Sequence, residues 1–313
     1  MVKVMEAVPN FSEGRDLATV EALVDTIGAC DVEVLDWSAD PDHHRSVVTL
    51  IGAPDDVLAA SVAAARFAIE NIDLTRHQGV HPRVGALDVL PFVPLHGVTM
   101  ADAVALAQRA GEAIASLGVP VYFYGQAADP PGRSLAELRR GGFEGLRGGW
   151  PRGRSPDLPE DAVGPHSTAG VTCVGARPIL LAWNVVVDGI DVAEARDIAS
   201  MIRERDGGFP GLRALGLRLE RQNRVQISMN LEDPARVLPL EVFGRIEAEV
   251  RRRGGDVVET EVIGMMPDTL VLTDSLGRLK LPDLGTARVL SRRVADYISA
   301  RGGERTETLD IRE

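Results

Sequence analysis

Cysteine is nearly absent from this chain. Cys30 and Cys173 stand far apart without metal-ligand or redox spacing, which excludes a disulfide framework and a zinc ribbon and suits two small buried hydrophobes in a reducing cytoplasm. Basic side chains are also in deficit, 34 against 46 acidic ones, giving a net charge of −12 and a pI near 5.1. Bulk electrostatics therefore repel nucleic acid and anionic membrane, and neither is expected as a partner. No apolar run approaches the length of a membrane span. The stretch Met1 to Asn10 is interrupted by Lys3 and Glu6 and lacks a small-residue cleavage pattern, so no secretory signal is expected. Several nucleotide and hydrolase signatures are missing: no Gly-rich phosphate loop ending in Gly-Lys-Ser/Thr, no Gly-x-Gly-x-x-Gly after a first strand, no Gly-x-Ser-x-Gly elbow.

What remains is a 313-residue chain, 45% hydrophobic and 26% charged, long enough for one large domain or two smaller ones. Periodicity predicts a strand over 3–8, a helix over 15–29, strands over 32–37 and 45–51, a helix over 55–72 and a strand over 86–93. The same β-α-β-β-α-β order recurs as a strand over 179–187, a helix over 192–205, strands over 213–219 and 224–230, a helix over 239–252 and a strand over 256–263. Such a split β-α-β unit packs two helices on one sheet face and leaves the other face needing a cover. The expected fold is thus α/β of the α+β type, in two subdomains, 1–178 and 179–301, with sheets facing each other and helices outside. The first carries an extra helix over 99–117 and a strand over 119–124, and 302–313 reads as a loose polar tail. Between the halves, Gly141 to Pro165 is so rich in Gly, Pro and Arg that no regular element is expected there, leaving either a linker or a loop that caps a cleft.

The densest chemistry lies in His77 to Pro94. Gly79 and Pro82 break helical continuity around His81, and the apolar run from Ala86 reads as a buried strand, so His81 is placed on a stiff loop at a strand's mouth. The same glycine and proline, with no Glu after His77, argue against a zinc-binding helix, and no metal is expected. In Asp36 to Arg45, Asp-Pro-Asp is turn chemistry, which takes Asp42 and His43 as turn residues, while Asp40, His44 and Arg45 flank the turn. Gly164 to Arg177 leads through His166 into a small-residue strand that another backbone or a planar ligand can approach closely. Asn184, an amide in an apolar strand, is either a structural hydrogen-bonder or a ligand contact.

Together these residues resemble a known family. Val8-Pro9-Asn10-Phe11-Ser12-Glu13-Gly14-Arg15, Asp40-Pro41 with His44-Arg45, His81-Pro82-Arg83 with Gly85 to Val89 and Pro91 to Pro94, Val121 to Gly125, Gly175-Ala176-Arg177 and Gln226 to Leu231 are similar to motifs of the glutamate formimidoyltransferases, over most of residues 4–270. Gln78 and Val80 depart from relatives that carry Lys and Glu there, and Gly207 to Arg221 is shorter than in animal forms. The resemblance implies transfer of a formimidoyl group from N-formimidoyl-L-glutamate to N5 of tetrahydrofolate, the latter a co-substrate, in histidine degradation. It also implies a folate tunnel between two subdomains, a cytoplasmic homodimer and, with nothing similar to a cyclodeaminase domain, a monofunctional enzyme. His81 matches the family's catalytic histidine. One histidine with an ordinary pKa of about 6.5 can take the proton from the attacking amine and return it to the leaving one.

Asp40 is the carboxylate expected to hold the cationic formimidoyl group. Arg45, Arg83 and Arg177 are expected to meet substrate carboxylates, unless Arg83 instead pairs with Asp88; Asp88 either orients His81 or caps a strand. Asn10, His44, His166, Gly175 and Asn184 complete the expected binding set, and His77 and His96 are read as structural or exposed. Two rivals stay open, a sibling that transfers a formyl group and a folate-binding protein without catalysis.

Overall fold

The computed structural model describes residues 1–234, 236–271, 277–282 and 286–302. These form two compact units, one of Met1–Arg177 with the described residues from Val294 on, the other of Pro178–Arg293. Beyond Gly302, the expected tail lies outside the described residues.

In unit one the chain opens with β1 (Val4–Ala7) and β2 (Asn10–Phe11), which lie end to end between β4 (Arg45–Gly52) and β5 (Leu87–His96). The single strand expected over 3–8 is therefore one of two pieces separated at Pro9, which has no N–H to give a ladder. β3 (Glu33–Asp40) pairs with β4 on its other side. Beyond β5 the sheet continues as β7 (Thr172–Ala176) and β6 (Val121–Gly125), both pairings parallel. Helix α1 (Leu17–Gly28) starts at Asp16, whose side chain accepts from the N–H groups of Ala18 and Thr19. Helix α2 (Pro54–Asn71) opens on proline, with Asp55 and Asp56 in its positive first turn, and buries Val57, Ala60, Ser61, Ala64, Ala65 and Ala68 at helical spacing. Small residues there let the helix lie close to its neighbours. A Thr99–Asp102 capping box starts α3 (Met100–Ser116).

These helices bury one sheet face, where Met5, Ala7, Phe11, Val48, Leu50, Leu90, Phe92, Val174 and Ala176 meet Leu23, Ile27, Ala64, Leu106 and Ile114. Side chains alternate along a strand, so directly paired residues share the opposite face. Glu6 lies opposite Ile51 and Val93, and Asn10 opposite Val47 and Val89, so Glu6, Asn10, Arg45 and Thr49 share that second face.

The segment between β6 and β7 covers part of the second face, and it corrects the expectation over 141–165. A short helix, α4 (Leu135–Leu138), precedes that stretch, and within it another, α5 (Gly142–Leu146), forms despite its glycines. Local anchors explain the order. Tyr122 donates its hydroxyl to Arg154 O at 2.6 Å, Arg154 Nη1 donates to the carbonyls of Glu137, Leu138 and Arg140, and Trp150 Nε1 donates to Ala162 O at 2.5 Å. Asp157 takes the Phe123 N–H at 2.8 Å and pairs with Arg133 at 2.6 Å and 3.0 Å. Leu138 and Leu146 pack with Val84, Val89, Tyr122, Tyr124, Val171 and Cys173.

In unit two, β8 (Leu181–Asp188), α6 (Val192–Ile202), β9 (Leu212–Leu219), β10 (Arg224–Leu231), α7 (Pro239–Arg252) and β11 (Asp256–Ile263) make an antiparallel sheet in the order β11-β8-β10-β9. Counted within the unit that is 4-1-3-2, and β5, β1/β2, β4 and β3 of unit one have the same order. The repeat seen in element order is thus a repeat of topology, the split β-α-β arrangement. Helix α6 stops earlier than its periodicity suggests, because Arg203 turns extended and Gly207 closes a following 3-10 turn with φ of 92°. Two helices not foreseen follow β11: α8 (Asp268–Val271) in this unit and α9 (Leu290–Ala300), whose residues from Val294 on belong to unit one. Trp183, Val185, Ile227, Phe243 and Ile246 centre the core of this unit. Among the described residues no helix is long and apolar enough to cross a membrane.

Candidate functional site

Polar groups converge where the loop before β5 meets the starts of β2 and β4. Asp88, fully buried on β5, uses Oδ1 to accept the N–H groups of Val84 at 2.8 Å and Gly85 at 3.3 Å, which fixes the loop's exit into the strand. Its Oδ2 accepts from Arg45 Nη1 at 3.2 Å and from Arg139 Nη2. Arg45 in turn donates through Nη2 to Asn10 Oδ1, while its Nη1 lies 3.1 Å from His81 Nδ1. Asn10 is held by its own bond to Val8 O at 2.6 Å. The same His81 Nδ1 lies 2.8 Å from Pro82 O. These two contacts favour opposite tautomers: the guanidinium offers Nδ1 a proton, and the carbonyl asks Nδ1 to supply one. Burial and the charges of Arg45, Arg139 and His43 push His81 well below the usual histidine pKa, so its ring is neutral at pH 7. Burial and the neighbouring Arg139 also lower Arg45, to about 9, against the support of Asp88.

A second network clamps the same loop from behind. His44, with φ of 51°, stacks on His77 with ring centroids 4.1 Å apart, and its nitrogens reach Gln78 O at 3.0 Å and Glu13 Oε1 at 3.1 Å. His77 donates from Nε2 to His44 O at 2.7 Å and accepts Arg83 Nε at Nδ1, at 2.9 Å. Burial, with the charges of His44 and Arg83, lowers His77 to about 4. Arg83 closes the chain with a two-pronged pair to Glu144 of α5, both bonds 2.7 Å. Gly79 lets this packing happen, since a Cβ there would sit 2.3 Å from His43 O. Among the described residues no three His, Cys, Asp or Glu side chains gather as a metal site.

The comparisons with known proteins agree with this arrangement of two units. The N-terminal subdomain of the formiminotransferase domain matches residues 4–177, and the formiminotransferase domain matches residues 182–276. This chain belongs to the formiminotransferase family. A glutamate formimidoyltransferase of Streptococcus pyogenes serotype M1 is 40% identical over 275 residues, 85% of this chain and 90% of that protein. One of Thermoplasma acidophilum is 36% identical over 299 residues, 94% of this chain and 98% of that protein. The formimidoyltransferase-cyclodeaminase of Sus scrofa is 38% identical over 281 residues, and the match spans 51% of that longer protein.

In this formiminotransferase chain, the residues singled out from sequence have diverse placements. His81, Arg45, Asn10 and Asp88 converge as described. Asp40 ends β3 and uses Oδ1 to accept the N–H groups of Asp42 at 2.8 Å and His43 at 2.7 Å, so it also staples the turn. The Arg83 fork is occupied, by Glu144 and not by Asp88. His166 Nδ1 accepts the N–H groups of Thr168 at 3.3 Å and Ala169 at 3.0 Å, a turn that returns the chain to β7. At Gly175 the planar group that approaches is the chain's own Tyr124, whose ring carbon would lie 2.5 Å from an added Cβ. Arg177 follows β7, gives its N–H to Phe92 O at 3.1 Å, and lies beside Tyr124 and Glu6. Asn184, in unit two, donates to Glu261 Oε2 at 3.3 Å.

Two further residues adjoin this cluster without a sequence signal that places them there. His43, read as a turn residue, is buried with its ring centroid 5.9 Å from that of His81. Arg139, just after α4, carries no motif; its one sequence signal is its place in the pair Arg139-Arg140, immediately before the segment expected to be irregular.

Proposed function

We propose that this chain transfers the formimidoyl group of N-formimidoyl-L-glutamate to N5 of tetrahydrofolate, giving 5-formimidoyltetrahydrofolate and L-glutamate, a step of histidine degradation. Family membership supports the reaction class. The observation that carries the reading is a neutral histidine, His81, held between Arg45 and Pro82 beside a buried carboxylate on the sheet face that the helices leave free.

Attack of N5 on the amidine carbon forms a tetrahedral adduct, and collapse expels the glutamate nitrogen. One proton must leave the nucleophile and one must reach the leaving amine. With Nδ1–H donated to Pro82 O, Nε2 of His81 is the basic nitrogen that takes the first proton; the resulting imidazolium returns it to the leaving amine. Arg45 keeps the proton affinity low, so the ring gives its proton up readily. Asp40 supplies Oδ2 to the formimidoyl cation while Oδ1 holds the turn, and Arg177 is the partner for a substrate carboxylate. Asn10, Asp88 and His44 act by position, on Arg45 and on the loop. His166 and Gly175 shape the return into β7, and Asn184 acts within its own sheet, through Glu261. Tetrahydrofolate enters as co-substrate and no metal takes part. The same reading includes a homodimer in the cytoplasm, in keeping with two free thiols.

A coupled assay with tetrahydrofolate and N-formimidoyl- or N-formyl-L-glutamate tests the reaction. Turnover of the formimidoyl donor is expected. Turnover of the formyl donor only, or folate binding without turnover, would overturn it.

A further inference from the structure

Two guanidiniums share one carboxylate in the buried cluster beside His81. Oδ2 of Asp88 serves both Arg45 and Arg139, and Oδ1 is taken by backbone N–H groups. The charged and titratable groups facing His81 are Arg45 from β4, Arg139 from the segment after α4, and His43 from the β3–β4 turn. Asp88 of β5 pairs with both of these guanidiniums. The cluster thus holds two cations against one anion, with a neutral base between them. Arg139 also keeps a buried Nε–H without an acceptor, although its side chain is only 12% exposed. A buried guanidinium short of acceptors and a net positive charge both favour an anion at this place.

We propose that Arg139, together with Arg45, forms the subsite for a carboxylate of the glutamate donor. The inference rests on the proposed reaction for the identity of that anion. Its consequence is electrostatic. A carboxylate on the two guanidiniums cancels part of the positive field that weakens His81, so the base gains strength when the donor is bound. Arg139 arrives on the segment between β6 and β7, so this segment supplies one side of the donor site and the β-sheet the other.

The test is the titration of His81 in the full-length protein by NMR of labelled histidine, assigned with His81→Gln, in chloride and in saturating L-glutamate at equal ionic strength. Glutamate is expected to raise the midpoint by about one pH unit, the size of effect that one nearby opposite charge produces. In Arg139→Gln the free-enzyme midpoint is expected to rise and glutamate to move it no further. The donor KM should increase about tenfold to a hundredfold, as for loss of a charged hydrogen bond, with the tetrahydrofolate KM unchanged. Arg139→Lys is expected to recover part of the donor affinity. A wild-type midpoint indifferent to glutamate overturns the inference whether or not any variant folds. So does an unchanged donor KM in folded Arg139→Gln. If glutamate shifts His81 but no formimidoyl group is transferred, the subsite stands and the reaction falls; active enzyme without the shift gives the reverse.

Discussion

Replacing Asp88 with asparagine separates the charge of the central carboxylate from its shape. Asparagine can still accept the Val84 and Gly85 N–H groups through its carbonyl, so the loop exit is preserved. On the other side the amide presents N–H to two guanidiniums whose side chains are only 15% and 12% exposed. Removing one partner from a buried ion pair costs about 3–5 kcal/mol, because the charge left behind stays buried. For a unit of this size each kcal/mol lowers Tm by roughly 2–4 °C, so Asp88→Asn is expected to melt about 10 °C below wild type. Asp88→Ala would be worse, since each backbone N–H then left without an acceptor adds about 1–3 kcal/mol. The assay is thermal unfolding followed by circular dichroism, with urea titration to check that the slope is unchanged. Activity should fall with stability, because Arg45 loses the partner that aims it at His81. An Asp88→Asn protein melting within about 2 °C of wild type would refute the reasoning, since it would mean the pair contributes less than about 1 kcal/mol.

Other expected outcomes follow from the same contacts. His77 is neutral in the fold and titrates near 4, below an unfolded value of about 6.5, so the unfolded chain binds the extra proton first and stability falls as pH drops from 6.5 to 4. His77→Gln, which can keep one donor and one acceptor, should flatten that slope by up to one proton in pH-dependent urea unfolding. Glu6 has the opposite sign: burial, partly offset by Arg177, raises it to about 7, so its contribution is present below about 4.5 and lost as pH rises through 7. Glu6→Gln should therefore gain on wild type at pH 8, by an amount on the order of 2 kcal/mol in thermal melts. Gly79→Ala places a Cβ 2.3 Å from His43 O, and the loop must move to relieve it. Turnover is expected to fall at least tenfold while Tm falls by only a few degrees, about 1–3 kcal/mol for local overpacking; unchanged turnover would show that the loop's seat on His43 does not position His81.

Much of this architecture was legible in the sequence because its signals are local. Asp16 before a periodic run, Pro54 followed by two aspartates, and Thr99 with Asp102 each mark a helix start that the fold uses. The apolar run after Ala86 became β5, and Gly79 and Pro82 did hold His81 off any helix. The missed parts depend on contacts distant in sequence. Residues 141–165 looked irregular from their Gly and Pro content, yet Arg154 satisfies three carbonyls and Asp157 ties the segment to β6, neither of which local composition encodes. Arg83 found Glu144, 61 residues on, where sequence proximity suggested Asp88. His43 followed turn chemistry correctly in its backbone, but the ring's burial against His81 comes from the packing of Gly79 on the turn.

The central claim is that His81 carries the proton in formimidoyl transfer, and the most direct test compares wild type with His81→Ala in the tetrahydrofolate-coupled assay with N-formimidoyl-L-glutamate. The account predicts transfer by wild type and a loss of about a hundredfold or more in kcat for the variant, the usual worth of a general acid–base group, with folding and tetrahydrofolate affinity retained. A folded His81→Ala protein that keeps wild-type turnover would contradict it.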